Sequence, residues 1–233
     1  LDWKNINFQL SVLFLVPTPI GNLDDITLRA LTVLKEVDYI LAEDTRTSGK
    51  LLKHHSVENK LRSFHTHNEH RITAQVIEDL SSGMSVAMVS DAGTPGISDP
   101  AFLLVRACHE AGITVSCLPG ATALIPAVVM SGFPMERFHY EGFLPHKKGR
   151  KTRWELIAKD IETVVLYESP HRLLKFLKEA DQYLAPGRMI AVVREISKMH
   201  ESVHRGTAVE LLQFFAENPS KVKGEIVVVL ERI

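Results

Sequence analysis

Several short stretches of this chain concentrate side chains that could do chemistry. The longest, Ser90–Pro100, holds two Gly, two Pro, two Asp and three hydroxyl residues. It lies between the apolar run Val86–Val89 and a helical pattern that begins near Phe102. Glycine lets backbone approach a ligand closely, and Pro95 and Pro100 restrict the chain. A strand-to-helix joint usually needs about 2–6 residues, and this one spends about ten. A long structural turn would use similar residues; the extra length favours a ligand loop. Pro17–Asp25 and Pro119–Ala123 share the small-residue character, and Lys and Arg are scarce in all three. That composition disfavours a phosphate-rich ligand. It suits a neutral or zwitterionic one, held by backbone groups and Ser/Thr hydroxyls.

Other stretches are strongly polar. Glu43–Ser48 reads Glu-Asp-Thr-Arg-Thr-Ser, and Glu168–Arg172 reads Glu-Ser-Pro-His-Arg. Carboxylates and imidazole can move protons, and a guanidinium fork suits phosphate. The same residue types also build helix caps and salt bridges. In His146–Arg153, five of eight residues are Lys or Arg, and Trp154 follows. Such a run is either a solvated face or a phosphate-contact patch. His65, His67 and His70 lack a carboxylate or cysteine pattern of metal-site spacing, so no metal is expected.

These stretches fall at the ends of predicted strands. Apolar runs predict strands at Ser11–Val16, Asp38–Ala42, Leu61–Phe64, Val86–Val89 and Ile113–Leu118, with helical patterns between them. Thr27 is the expected N-cap of the first helix. Alternating strands and helices with short joints argue a parallel sheet covered on both faces. Further strands are predicted at Phe138–Glu141, Thr163–Tyr167, Met189–Val193, Val203–Gly206 and Glu225–Leu230. The expectation is an α/β protein with an N-terminal arm (1–10), an N-terminal α/β domain (11–118) and a C-terminal α/β domain (119–233). The first loop is not G-x-G-x-x-G and no Walker-type motif occurs, so a dinucleotide or P-loop reading loses its usual support.

Composition adds bounds. The 233 residues are 45% hydrophobic with net charge −1, so no global basic field advertises nucleic acid. No run approaches the ~18 apolar residues of a membrane span. The start lacks a basic region, apolar core and cleavage site, so no signal peptide is expected. Cys108, placed on a helix, and Cys117, placed on a strand, fit no zinc pattern. Both are expected to be reduced core thiols of a cytoplasmic protein.

Seven stretches together resemble one known family. They are Leu15–Thr27, Ala42–Ser48, Val89–Pro100, Leu118–Leu124, Glu141–Pro145, Tyr167–Arg172 and Lys223–Glu225. They are similar to the tetrapyrrole-methylase fold, and more closely to its ribosomal RNA branch, the small-subunit rRNA (cytidine-2′-O)-methyltransferases. The match runs from about Leu13 to the C-terminus. The resemblance implies an N-terminal parallel sheet, a C-terminal mixed sheet and S-adenosylmethionine in a cleft between the domains of a homodimer. It assigns the cofactor to Pro17, Pro19, Asp91, Gly93, Ile97, Ser98, Thr122, Ala123, Gly142, Phe143, Leu144 and Gly224. Asp91 is either a ligand or an Asx-type organiser of its loop.

Methyl transfer to a ribose hydroxyl depends mostly on in-line positioning, aided by a base that takes the hydroxyl proton. Glu43, Asp44 and His171 are the candidate catalytic bases. Arg46, Lys147, Lys148, Arg150, Lys151 and Arg172 are the candidate RNA-phosphate contacts, on small-subunit rRNA or the 30S subunit. Rival readings are a C-methylase of a porphyrin precursor, a non-catalytic RNA-binding protein of the same fold, and a sugar-phosphate enzyme. The basic run speaks against the first and the intact small-residue loops against the second.

Overall fold

The computed structural model describes residues 11–233; the expected arm at 1–10 lies outside the described residues. The chain divides into two compact units between Thr122 and Ala123.

In the first unit, β1 (Val12–Leu15), β2 (Tyr39–Ala42), β3 (Leu61–Ser63), β4 (Val86–Val89) and β5 (Thr114–Cys117) form one parallel sheet, in the order β3-β2-β4-β1-β5. Leu13 sits between Val86 of β4 and Val115 of β5. β1, β2 and β4 are apolar at every position because helices cover both faces. Val12 and Phe14 pack with Ala30, Val33 and Leu34 of α1 (Leu28–Glu36) and Leu52 of α2 (Thr45–His54). Leu13 and Leu15 pack with Val76 and Leu80 of α3 (Glu69–Ser81) and Leu104 and Cys108 of α4 (Phe102–Glu110). Thr27 caps α1 as expected, accepting from the Ala30 amide.

Strand order and helix faces are linked. From β1 the chain runs outward to β2 and β3 through α1 and α2 on one face. It returns through β4 to β5 with α3 and α4 on the other. Right-handed crossovers require the helices to change face when the direction reverses. The reversal therefore falls between β1 and β4, which are neighbours.

The second unit begins with α5 (Leu124–Ser131). Its sheet contains β6 (Phe138–Phe143), β7 (Thr163–Glu168), β8 (Ile190–Arg194), β9 (Ser202–Gly206) and β10 (Ile226–Leu230), in the order β6-β7-β10-β8-β9. Only β6 and β7 are parallel, so the sheet is mixed. α6 (Arg150–Ile157), α7 (Leu173–Tyr183) and α8 (Ala208–Glu217) cover one face through Trp154, Phe176, Leu177, Leu211 and Phe215.

One core expectation is corrected. Cys108 is buried, but Cys117 is exposed. β5 is an edge strand paired only with β1, so helix cover is incomplete there.

Candidate functional site

In an open α/β sheet, ligands bind outside the carboxyl ends of the strands where the winding reverses. Here that point is the β1/β4 pair, and three loops meet above it. Thr18 after β1 and Gly93 after β4 form an isolated antiparallel bridge, with both amide-to-carbonyl bonds at 2.9 Å. The buried Thr18 hydroxyl donates to the Ser90 carbonyl at 3.0 Å, and the Ser90 hydroxyl donates to the Gly93 carbonyl at 3.2 Å. The loop after β5 joins them: the Thr94 hydroxyl donates to the Ala121 carbonyl at 3.1 Å.

Two glycines make this approach possible. Gly93 has φ +85°, a conformation that L side chains rarely adopt. Gly120 faces Pro17 so closely that an added Cβ would lie 2.6 Å from the Pro17 Cβ. Gly120→Ala is therefore expected to push the Pro17 loop aside at a cost of about 1–3 kcal/mol. Urea unfolding checks this; an unchanged midpoint would mean that the two loops are not packed so closely.

Acidic groups border the three loops. Glu43 and Asp44 leave β2, which lies beside β4. The Asp44 amide donates to Asp91 Oδ1 at 3.1 Å, and the Asp91 amide hydrogen-bonds Glu43. Asp91 thus ties its loop to the end of β2. Burial pushes the Glu43 carboxyl up, and the Asp91 charge adds to the push. Asp99, which sequence reasoning did not select, is pushed up to about 7, first by burial and then by Glu43 and Asp91. A hydrogen bond from Ser90 acts the other way. The sequence signal was present, since Asp91 and Asp99 share a loop, but their distance from Glu43 depended on strand order.

Asp44 departs from the role of a base. It caps α2, accepting from the Arg46 amide at 2.8 Å, and meets the Arg46 guanidinium at 2.7 Å. Those hydrogen bonds hold its carboxyl down to about 2, too low to compete for a proton near neutrality. Arg46 itself is largely exposed.

In the second unit, Gly142 has φ +69° and sits at a register shift in β6 that sets Phe143 half-exposed and Leu144 in the core. The Leu144 side chain is therefore spent on packing, leaving only its backbone for a ligand. Two of the candidate phosphate contacts are corrected. Arg150 is buried, with its guanidinium 2.6 Å from Glu179 and 3.7 Å from Glu168. Arg172 lies 2.8 Å from Glu168 in an ion pair without hydrogen-bond alignment. Their remaining nitrogens donate to the Pro145 and Leu144 carbonyls, at 3.1 and 3.0 Å. Buried guanidinium needs such partners, and these arginines pin the loop that carries the basic run. Lys147, Lys148 and Lys151 are exposed.

His171 is exposed, in a single helical turn at Pro170–Arg172 capped by Ser169. Gly224 has a packing requirement: with φ +81°, an added Cβ would lie 2.3 Å from the Glu195 side chain. Glu195 accepts there from the Glu225 amide at 2.8 Å. Among the described residues, no group of three His, Cys, Asp or Glu side chains is arranged to hold a metal ion. No described helix is long and apolar enough to cross a membrane.

Residues 12–212 match the family model of the tetrapyrrole (corrin/porphyrin) methylases. A Synechocystis protein named ribosomal RNA small subunit methyltransferase I is 46% identical over 222 residues, covering 95% of this chain and 79% of the relative. The protein of that name from Escherichia coli O157:H7 is 46% identical over 220 residues, covering 94% and 77%. Among solved structures, uroporphyrin-III-C-methyltransferase from Thermus thermophilus matches with TM-score 0.64 at 20% identity, covering 95% of this chain and 94% of that one. Cobalt precorrin-4 methyltransferase matches with TM-score 0.69 at 16% identity, covering 95% of each chain. At these identities the two structures speak to the fold alone. The family match and the identity of the relatives agree with the quoted motifs: the chain belongs to the tetrapyrrole (corrin/porphyrin) methylase family, in the branch named ribosomal RNA small subunit methyltransferase I.

Proposed function

We propose that this chain transfers a methyl group from S-adenosylmethionine to the 2′-hydroxyl of a cytidine in small-subunit ribosomal RNA. The observation that carries the reading is the meeting of three small-residue loops at the β1/β4 reversal, bordered by a carboxyl group held above its usual range. The donor set fits the cofactor. Residues 17–23, 90–98 and 118–124 contain no Lys or Arg, and their neighbours Glu43, Asp91 and Asp99 are acidic. Such surroundings suit a ligand that carries an ammonium and a sulfonium and no phosphate. When bound, S-adenosylmethionine supplies an electrophilic methyl group.

Pro17, Pro19, Asp91, Gly93, Ile97, Ser98 and Thr122 are the holding residues in the first unit. Ala123, Gly142, Phe143, Leu144 and Gly224 of the second unit are assigned by the resemblance. Glu43 is the base: it would take the proton that the 2′-hydroxyl loses as its oxygen receives the methyl group, the carbon–sulfur bond breaking to release S-adenosylhomocysteine. The cytidine, the 2′-oxygen and a homodimeric assembly rest on the family branch. Arg46, Lys147, Lys148 and Lys151 remain as RNA-phosphate contacts.

The test is transfer of labelled methyl from S-adenosylmethionine to small ribosomal subunits from cells lacking this protein, followed by mapping of the nucleotide. A single 2′-O-methylcytidine is expected. Bound cofactor with no label in RNA would overturn the substrate assignment and return the search to small molecules. The cofactor map has its own test. Thr122→Phe is expected to abolish S-adenosylmethionine binding in calorimetry while thermal unfolding stays as in the parent. Parent-like affinity would remove the loop after β5 from the site.

A further inference from the structure

The second unit contains a cavity of about 270 Å³ between the start of α6 and the length of α7. Lys147 and Lys151 form one wall, and Lys175, Gln182 and Tyr183 form the other. His146, Arg150, Trp154 and Glu179 complete the lining, so four Lys or Arg side chains face one carboxylate. That carboxylate is already spoken for. Glu179 Oε2 accepts from Arg150 Nε at 2.8 Å and from Trp154 Nε1 at 3.1 Å. Trp154 is buried and stacked on Tyr183, with ring centroids 5.9 Å apart and planes at 4°. This arrangement makes an aromatic, ion-paired floor.

The lysines on the rim are not bound up. Lys151 and Lys175 reach only loose ion pairs, each at 3.8 Å, with Glu155 and Glu179. Exposed pairs of that length contribute little, so both ammonium groups can turn to a stronger anion. Gly149, the residue before α6, has φ +84° and supplies no side-chain cap to the first turn. A helix start of this kind favours an anion. The cavity is thus built for one compact anion: cationic walls, a neutralised floor and room for a phosphate group.

We propose that this cavity seats a backbone phosphodiester of the substrate RNA strand, with Lys175 of α7 closing over it from the side opposite Lys147 and Lys151. The inference rests on the RNA-methylation reading and adds to it a defined seat and a residue far from the basic run in sequence. The contact holds the strand without reading its bases, because phosphates are alike along the chain.

The test compares binding of a 12-nucleotide RNA to the parent protein, to Lys151→Ala/Lys175→Ala, and to the control Lys159→Ala/Lys178→Ala, which removes two exposed lysines outside the cavity. The cavity variant is expected to bind on the order of tenfold more weakly at low salt. Its log K against log salt slope should be smaller by roughly 1.4, the loss of two single-strand phosphate contacts. The control should keep the parent affinity and slope. Equal losses in both variants, or parent-like binding by the cavity variant, would overturn the seat while leaving the methylation reading intact. A parent protein that binds no RNA would overturn the seat, whereas the methylation reading falls only if small ribosomal subunits accept no methyl group. Inorganic phosphate is titrated in parallel. If it binds as tightly as the RNA and loses affinity in the same variant, the cavity is a site for free phosphate and the RNA assignment falls.

Discussion

Glu43→Gln is expected to lower the rate of methyl transfer by roughly 10²–10⁴, the usual range for losing a positioned base, with S-adenosylmethionine affinity retained. The side chain keeps its size and loses its proton acceptor. Among the three candidate bases, the electrostatics separate the two neighbours in sequence. Asp44 is held down to about 2 by Arg46, whereas burial and Asp91 push Glu43 up. A higher value makes a stronger base, and Glu43 ionises as pH rises. The rate is therefore expected to climb with pH toward neutrality. The Glu43 charge in turn helps to raise Asp99, which stays protonated up to about 7. Glu43 therefore ionises beside a neutral Asp99, and Asp99→Asn should leave the rising limb in place. A pH profile of single-turnover methyl transfer checks both variants. A Glu43→Gln enzyme with parent-like rates would take Glu43 out of the chemistry, and a limb that moves in Asp99→Asn would mean that Asp99 is charged while Glu43 titrates.

The same group has a stability consequence. Asp99 has a folded-state value above the ordinary carboxylate range. Its charge is therefore tolerated worse in the folded chain than in the unfolded one, and stability falls as pH rises from about 4 through about 7. Asp99→Asn should lose this part of the pH dependence.

The second large effect concerns the buried ion network of the second unit. Glu168→Ala is expected to destabilise the fold by about 3–5 kcal/mol, the cost of leaving a buried charge without its partner. Glu168 has 1% side-chain exposure and stands against both Arg172 and Arg150. Its removal leaves Arg172, at 16% exposure, without a carboxylate and weakens the hold on the Leu144 and Pro145 carbonyls. The comparison that decides the matter is Glu110→Ala. That residue pairs with Arg106 on the surface of α4, with both side chains 64% exposed. Its loss should cost under about 1 kcal/mol. Urea unfolding of the two variants separates them. A Glu168 variant as stable as the Glu110 variant would show that the network does not support the loop.

What the sequence by itself determined is local. Apolar runs of four or five residues, N-caps such as Thr27 and the small-residue loops after β1, β4 and β5 follow from periodicity, capping chemistry and turn chemistry. All of these act over a few residues, so they survive reading along one line. The alternating order of strands and helices then implied a sheet covered on both faces, and the motifs implied the family. Tertiary structure decided which of these residues are free to act. Asp44 and Asp91 are 47 positions apart and meet only because β2 lies beside β4. Arg150 and Glu179 are 29 apart and meet because α6 and α7 share one face of a sheet. Lys and Arg count alike in a basic run. Burial selects Arg150 to pin a loop and leaves its lysine neighbours to solvent. Charge pairing and desolvation depend on neighbours in space, and the strand order that creates those neighbours is not written in any short stretch of the chain.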